Sequence, residues 1–167
     1  MGPQPRMGPT ASVIELTLES SLKHMEMVEE IARRVSKTAG FGSEEEFQIE
    51  LAVHETVINA IAHGNHEDPE KTVWLQFKIL DDRLEIHVRD QGKGFDLSKV
   101  PDPLAEENLL NISGRGMFLI RQFMDEMRVI SNCGAGTEVI MTKRRKPQAE
   151  PHQGGKDRES EGHRKTS

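Results

Sequence analysis

The sequence predicts an α+β fold: a two-layer sandwich whose mixed, mostly antiparallel sheet is covered by helices on one face. Three observations predict it. Residues 21–40 and 42–65 repeat apolar side chains every three or four positions, the period of a helix with one buried stripe. Residues 71–90 and 128–143 alternate apolar and polar side chains around short turns, the period of hairpins with one buried face. The resulting order, β-α-α-β-β-loop-α-β-β, leaves helices that must cover the apolar side of a sheet.

Each element has its own justification. In "SVIELTLES", Val13, Leu16 and Leu18 stand among polar neighbours, an imperfectly alternating first strand. In the first helix Leu22, Met25, Val28, Ile31, Ala32 and Val35 form the apolar face, with Ser20 or Ser21 as its cap and Gly40 at its end. The second helix carries Ser43 with Glu46 three residues on, the capping-box spacing. Its acidic residues Glu44 to Glu46 suit the positive end of the helix. Phe47, Leu51, Ile58 and Ile61 contribute its apolar face, and Gly64 ends it. Val73, Leu75, Phe77 and Ile79 form one face of the next strand, and Leu84, Ile86 and Val88 that of its hairpin partner. Trp74 falls on the opposite face, where a partner contact and a neighbour of the long loop are both open readings. A Gly-rich segment opens a third helix at "GRGMFLIRQFMDEM", and a second hairpin turns at Gly134–Gly136.

The length of 167 residues suits one domain with a sizeable core. The expected division is a loose tail over 1–11, a domain over 12–142 and a disordered basic tail over 143–167, where hydrophobicity is low and charge mixed. No apolar run approaches the ~20 residues needed to span a bilayer. The opening "MGPQPRMGPT" has no apolar core and does not read as a secretory signal. A single cysteine, Cys133, excludes an internal disulfide framework and fits a reducing compartment, so a cytoplasmic location is expected. The last 25 residues hold eight Lys/Arg against four Asp/Glu, whereas the preceding 142 hold 14 basic and 24 acidic side chains. An acidic body argues against a general grip on nucleic acid, and no membrane partner is indicated.

Three motifs carry the chemistry. The first is Glu55-x-x-x-Asn59, followed by Ala60, His63 and Gly64. Four residues is about one helical turn, so the carboxylate and the amide emerge on the same face. The second is "DQGKGF", Asp90 to Phe95, at the end of a strand. The third is "SGRGMFLI", Ser113 to Ile120, opening a helix. Each alone reads equally as a surface pair, a turn or a close-packed helix start. Their joint occurrence in this order is far more specific. His54, His63 and His66 do not form an H-E-x-x-H pair, because position 58 is isoleucine, and packing or capping roles are expected of them. The methionines read as core filler and interface, and Cys133 as a plain turn residue.

The three motifs resemble the N, G1 and G2 boxes of the GHKL ATPases, the superfamily of gyrase, heat-shock chaperone, sensor histidine kinase and mismatch-repair ATPase domains. Within it, "RDQGKGF" and "GTEVIMTK" are most similar to the bacterial anti-sigma-factor serine/threonine kinases, over about residues 13–142. The resemblance implies an ATP- and Mg²⁺-dependent kinase that binds a sigma factor and phosphorylates an anti-sigma-factor antagonist protein, and a homodimer. It implies Asn59 as Mg²⁺ ligand and Glu55 as the base that accepts a hydroxyl proton. Asp90 would accept from the adenine amino group, with Gly92 and Gly94 giving the backbone access to base and sugar. Gly114 and Gly116 would cradle the phosphates at a helix start, with Arg115 either adding charge there or facing solvent. Thr137 resembles the family's strand threonine near the adenine, and residues 96–113 resemble the loop that closes over nucleotide. A nucleotide-gated binding module that holds a partner without phosphorylating it is the alternative. The ATPase half of a sensor histidine kinase is disfavoured, since no phospho-acceptor helix pair precedes the domain.

Overall fold

The computed structural model describes residues 12–94, 115–131 and 134–146. Strand β1 (Ser12–Glu19) leads through a 3-10 turn (Leu22–His24) into helix α1 (Met25–Thr38), which is followed by α2 (Ser43–Asn59). Five further residues, Ala60–Gly64, continue α2 as a π-helical turn. The hairpin β2 (Thr72–Ile79) and β3 (Arg83–Arg89) comes next. Helix α3 (Arg115–Phe123), β4 (Glu126–Ser131) and β5 (Thr137–Arg144) complete the domain. The five strands form one sheet in the order β1-β2-β3-β5-β4, and every neighbouring pair is antiparallel. Among the described residues the sheet is therefore antiparallel throughout, without the parallel pair that a mixed sheet would need.

The strand register puts the alternating apolar residues on one side. Leu75 pairs with Val88 and Phe77 with Ile86, and all four are buried. Val28, Ala32 and Val35 of α1 and Ile49, Val53 and Val57 of α2 cover that side. Burying each large side chain contributes about 1.5–3 kcal/mol, which orders both helices against the sheet. Ile120 and Met124 bring α3 onto the same core. Trp74 points to the opposite face, where the Arg89 guanidinium lies 4.7 Å from its ring centre. His87 meets the Trp74 ring edge-on.

Some expectations are corrected. Leu22 and Phe47 are exposed, at 46% and 60%, because each lies on the solvent side of its turn rather than on the core stripe. Among the described residues Ser21 makes no side-chain cap, and the buried Ser20 hydroxyl finds no hydrogen-bond partner. The cap of α2 sits one residue earlier than expected: Gly42 precedes the helix, and its N–H donates to the Glu45 carboxylate at 3.3 Å. Gly40 does end the preceding segment, with φ at +84°, a conformation open to glycine. Strand β5 runs to Arg144, two residues past the expected boundary at 142, because Lys143 and Arg144 still pair with Leu84 and Arg83 of β3, and the Lys143 side chain donates to the Phe123 carbonyl and to Gln48. The expected tails at 1–11 and beyond 146 lie outside the described residues, as does the long loop after Gly94. Among the described residues no helix is long and apolar enough to cross a membrane.

Candidate functional site

Helix α2 passes beneath the end of the sheet where β3 stops and β5 starts. Between them lies a cavity of about 290 Å³. Its walls are apolar: Ala60 from the π turn, Val88 from β3, Val129 and Val139 from β4 and β5, and Met117 from α3. Polar groups enter at defined points, Thr56 and Asn59 from α2, Asp90 beyond β3, and Thr137 at the start of β5. An apolar slot with a few convergent polar groups is the usual form of a small-molecule site.

Asp90 is 7% exposed. Its Oδ1 accepts the N–H of Gly92 at 2.8 Å and that of Thr137 at 3.1 Å. Its own N–H donates to the Thr137 carbonyl at 3.0 Å, so loop and strand hold it from both sides. Burial pushes its carboxyl above the usual aspartate value, against the two N–H donors and the positive charge of Lys71, which pull it down. Three glycines allow this packing. A Cβ on Gly64 would collide with the Asp90 carboxylate, one on Gly136 with the Asp90 carbonyl, and one on Gly92 with the Gly64 carbonyl. Gly92 thus serves the packing of backbone on backbone, while Gly94, at φ +61°, lines the cavity itself.

Asn59 lies in the cavity wall, and its buried Nδ2 has no hydrogen-bond partner among the described residues. A buried amide without a partner is costly, and a ligand in the cavity would relieve it. No partner fixes the amide, so it can turn to present its oxygen instead. Glu55, one turn earlier, stands beside the cavity rather than in its wall, with its carboxylate against the backbone of Gly116 in the first turn of α3. The structure thus brings Asn59, Asp90, Gly94 and Thr137 around one space, with Gly92 packed against Gly64 and Asp90, and Glu55 against Gly116, outside its lining. Gly114 and the side chain of Arg115 lie outside the described residues. His63, His66 and Lys93 stand in the cavity wall too. His63 stands one turn past Asn59 on the π-helical continuation of α2, whereas His66 and Lys93 lie beyond the ends of their elements, where no periodicity in the sequence points to the cavity. His54 instead meets Glu29 across the two helices, Nδ1 to Oε1 at 2.6 Å. Among the described residues no group of three or more His, Cys, Asp or Glu is placed to hold a metal ion.

The class that this arrangement defines is an antiparallel α+β sandwich with a ligand cavity between its long helix and the open end of its sheet. The chain belongs to the histidine kinase-like ATPase domain family, whose model matches residues 18–143. It is 40% identical to an anti-sigma F factor of Oceanobacillus iheyensis over 98 residues, 58% of this chain and 67% of that protein. It is 29% identical to the serine-protein kinase RsbW of Bacillus subtilis over 139 residues, 80% of this chain and 86% of that one. A crystal structure of RsbU and RsbW domains from Mycobacterium tuberculosis has the same fold, with a TM-score of 0.59 at 19% identity. That likeness covers 80% of this chain, which spans 32% of the other.

Proposed function

We propose that the protein is an ATP-dependent protein serine/threonine kinase that binds a sigma factor and phosphorylates an antagonist of that pairing. The observation that carries this reading is the Glu55–Asn59 pair, one turn apart on α2, with Asn59 and Asp90 lining one cavity and Glu55 beside it. A module that only held nucleotide would have no use for a carboxylate beside the amide. The names of the relatives, anti-sigma F factor and serine-protein kinase RsbW, support the same reading. A cytoplasmic location and a homodimer go with it.

Asp90 would accept a hydrogen bond from the adenine amino group, with Thr137 beside it and Gly94 leaving room for the ring. Asn59 would hold Mg²⁺ through its amide oxygen, a hard neutral ligand that suits an ion keeping several waters. The fit rests on the unpartnered Asn59 amide, and Mg²⁺ when bound would neutralise phosphate charge. Glu55 would take the proton from a serine or threonine hydroxyl as its oxygen attacks the γ-phosphorus. The bond from that phosphorus to ADP breaks as the new ester forms, and ADP leaves. Gly114 and Gly116 would offer backbone N–H groups to the phosphates at the start of α3. Arg115 would add charge there.

The test is phosphate transfer from labelled ATP·Mg²⁺ to a cognate antagonist protein, for wild type and Glu55→Ala, with nucleotide affinity measured on both. Transfer by wild type, and binding without transfer by Glu55→Ala, is the expected result. Tight ATP binding with no transfer by wild type would leave a nucleotide-gated binding module in place of a kinase.

A further inference from the structure

Three hydrogen bonds close a ring behind Asp90. Asn65, fully buried just beyond the π turn, donates from Nδ2 to the carbonyl of Thr72 at 3.0 Å. The backbone N–H of Gln91 donates to Asn65 Oδ1 at 2.8 Å. The N–H of Thr72 donates in turn to Gln91 Oε1 at 2.7 Å. The N–H of Asn65 itself donates to the Ala60 carbonyl at 2.8 Å, which fastens the residue to the end of the helix. The ring therefore joins the end of α2, the entry to β2 and the loop that leaves β3.

The chemistry of Asn65 suits this place narrowly. Its amide offers a donor and an acceptor on one short stem, and both are used here without water. Aspartate has no donor, and leucine has neither group. The ring also acts on the site through sequence neighbours. Asn65 directly follows Gly64, and Gln91 directly follows Asp90. Gly64 and Asp90 both line the cavity and approach each other too closely for a Cβ on Gly64. Asn59 lies upstream on the same helix.

We propose that Asn65 is the positioning residue of the nucleotide site, setting the Asp90 carboxylate relative to the Asn59 amide so that one ligand meets both. The proposal rests on the nucleotide reading of the cavity. Gln91, whose side chain is exposed, is the accessible member of the ring. Changing it loosens the ring without opening the core.

The test uses the full chain as wild type, Asn65→Asp, Gln91→Ala and Gln91→Glu. Affinities for ATP and for GTP are measured by calorimetry beside the melting temperature. Asn65→Asp keeps the acceptor for the Gln91 N–H but sets a carboxylate oxygen against the Thr72 carbonyl. ATP affinity is expected to fall about tenfold, and the preference for ATP over GTP to shrink, because GTP lacks the amino group that Asp90 accepts. Gln91→Ala is expected to show the same change in smaller measure. Gln91→Glu, which keeps the acceptor for the Thr72 N–H, is expected to behave as wild type. A lower melting temperature with ATP affinity and ATP preference both unchanged would mean a merely structural ring and overturn the proposal. If Asn65→Asp does not fold, the comparison of Gln91→Ala with Gln91→Glu decides by the same readouts. A wild type that binds no ATP would instead overturn the nucleotide reading, which the proposal presupposes.

Discussion

Gly64 sets its bare Cα against the Asp90 carboxylate, so closely that a Cβ there would fall well inside 3.0 Å of Asp90 Oδ2 and Cγ. The last residue of the π turn and the residue after β3 thus share one boundary of the cavity. Gly64→Ala is expected to push Asp90 out of place and weaken ATP binding by more than about tenfold. The overpacking should also cost about 1–3 kcal/mol of stability. Calorimetric titration and thermal melting on the same sample check both. Unchanged affinity would show that Asp90 does not hold the ligand.

Asp90 also makes a prediction in pH. Burial raises its pKa in the folded state above the unfolded value. The stability that this residue contributes is therefore complete below the unfolded value and lost as pH rises through the folded one. Above the raised value the nucleotide-free protein carries a buried charge at a cost. Asp90→Asn keeps an oxygen for the Gly92 and Thr137 N–H groups and removes that charge. The nucleotide-free variant should melt at or above the wild type near neutral pH, and the gap should close on acidification. ATP affinity of wild type should fall as pH drops through the raised Asp90 value, while that of the variant stays low and flat. Melting and titration series over about pH 4–8 check the sign of both trends. A variant that melts lower than wild type at neutral pH would contradict the cost assigned to the charge.

Much of this architecture is legible in the residues because each element sees one buried and one open side. The alternation at Val73, Leu75 and Phe77 reports its environment directly, and all three are fully buried. Glu55 and Asn59 are legible for the same kind of reason: four residues on a helix fixes a shared face whatever the fold. Phe47 and Leu22 fail because an apolar identity states a preference and not a direction, and both point to solvent. The cap of α2 is ambiguous because Glu44, Glu45 and Glu46 run together, so Gly42 with Glu45 and Ser43 with Glu46 offer the same spacing. The ring of Asn65, Thr72 and Gln91 is invisible in the sequence, since Asn65 and Gln91 stand 26 residues apart and meet only in the folded sheet.

The contrast between Phe77 and Phe47 tests the core directly. Phe77 is fully buried at the centre of β2, whereas Phe47 is 60% exposed on α2. Phe77→Ala should destabilise by about 3–5 kcal/mol, the range for deleting a buried aromatic side chain. Phe47→Ala should change stability by about 0.5 kcal/mol or less, as surface substitutions do. Urea denaturation of both variants measures the difference. Comparable losses would place Phe47 in an interface, and dependence of its midpoint on protein concentration would identify that interface as one between copies of the chain.

Gly116 supplies the sharpest separation of binding from chemistry. A Cβ on this residue would meet Glu55 Oε2 well inside 3.0 Å, while its other neighbours within 4 Å, Glu55 Cδ at 3.2 Å and Cβ at 3.6 Å, are less tight. The obstructed atom is the far end of a flexible side chain, so Gly116→Ala should fold with little loss. The carboxylate must swing aside, and a base displaced by even an ångström loses much of its effect. General-base assistance contributes about 10²–10⁴ in rate, so phosphate transfer should fall by at least about tenfold. ATP affinity should change far less, because Asn59 and Asp90 are untouched and alanine keeps the backbone N–H that residue 116 would offer the phosphates. Single-turnover transfer to the antagonist, beside nucleotide titration, separates the two effects. Transfer at the wild-type rate in Gly116→Ala, with affinity intact, would mean that Glu55 does not need its present position to act, and would move the search for the base to another residue at the cavity.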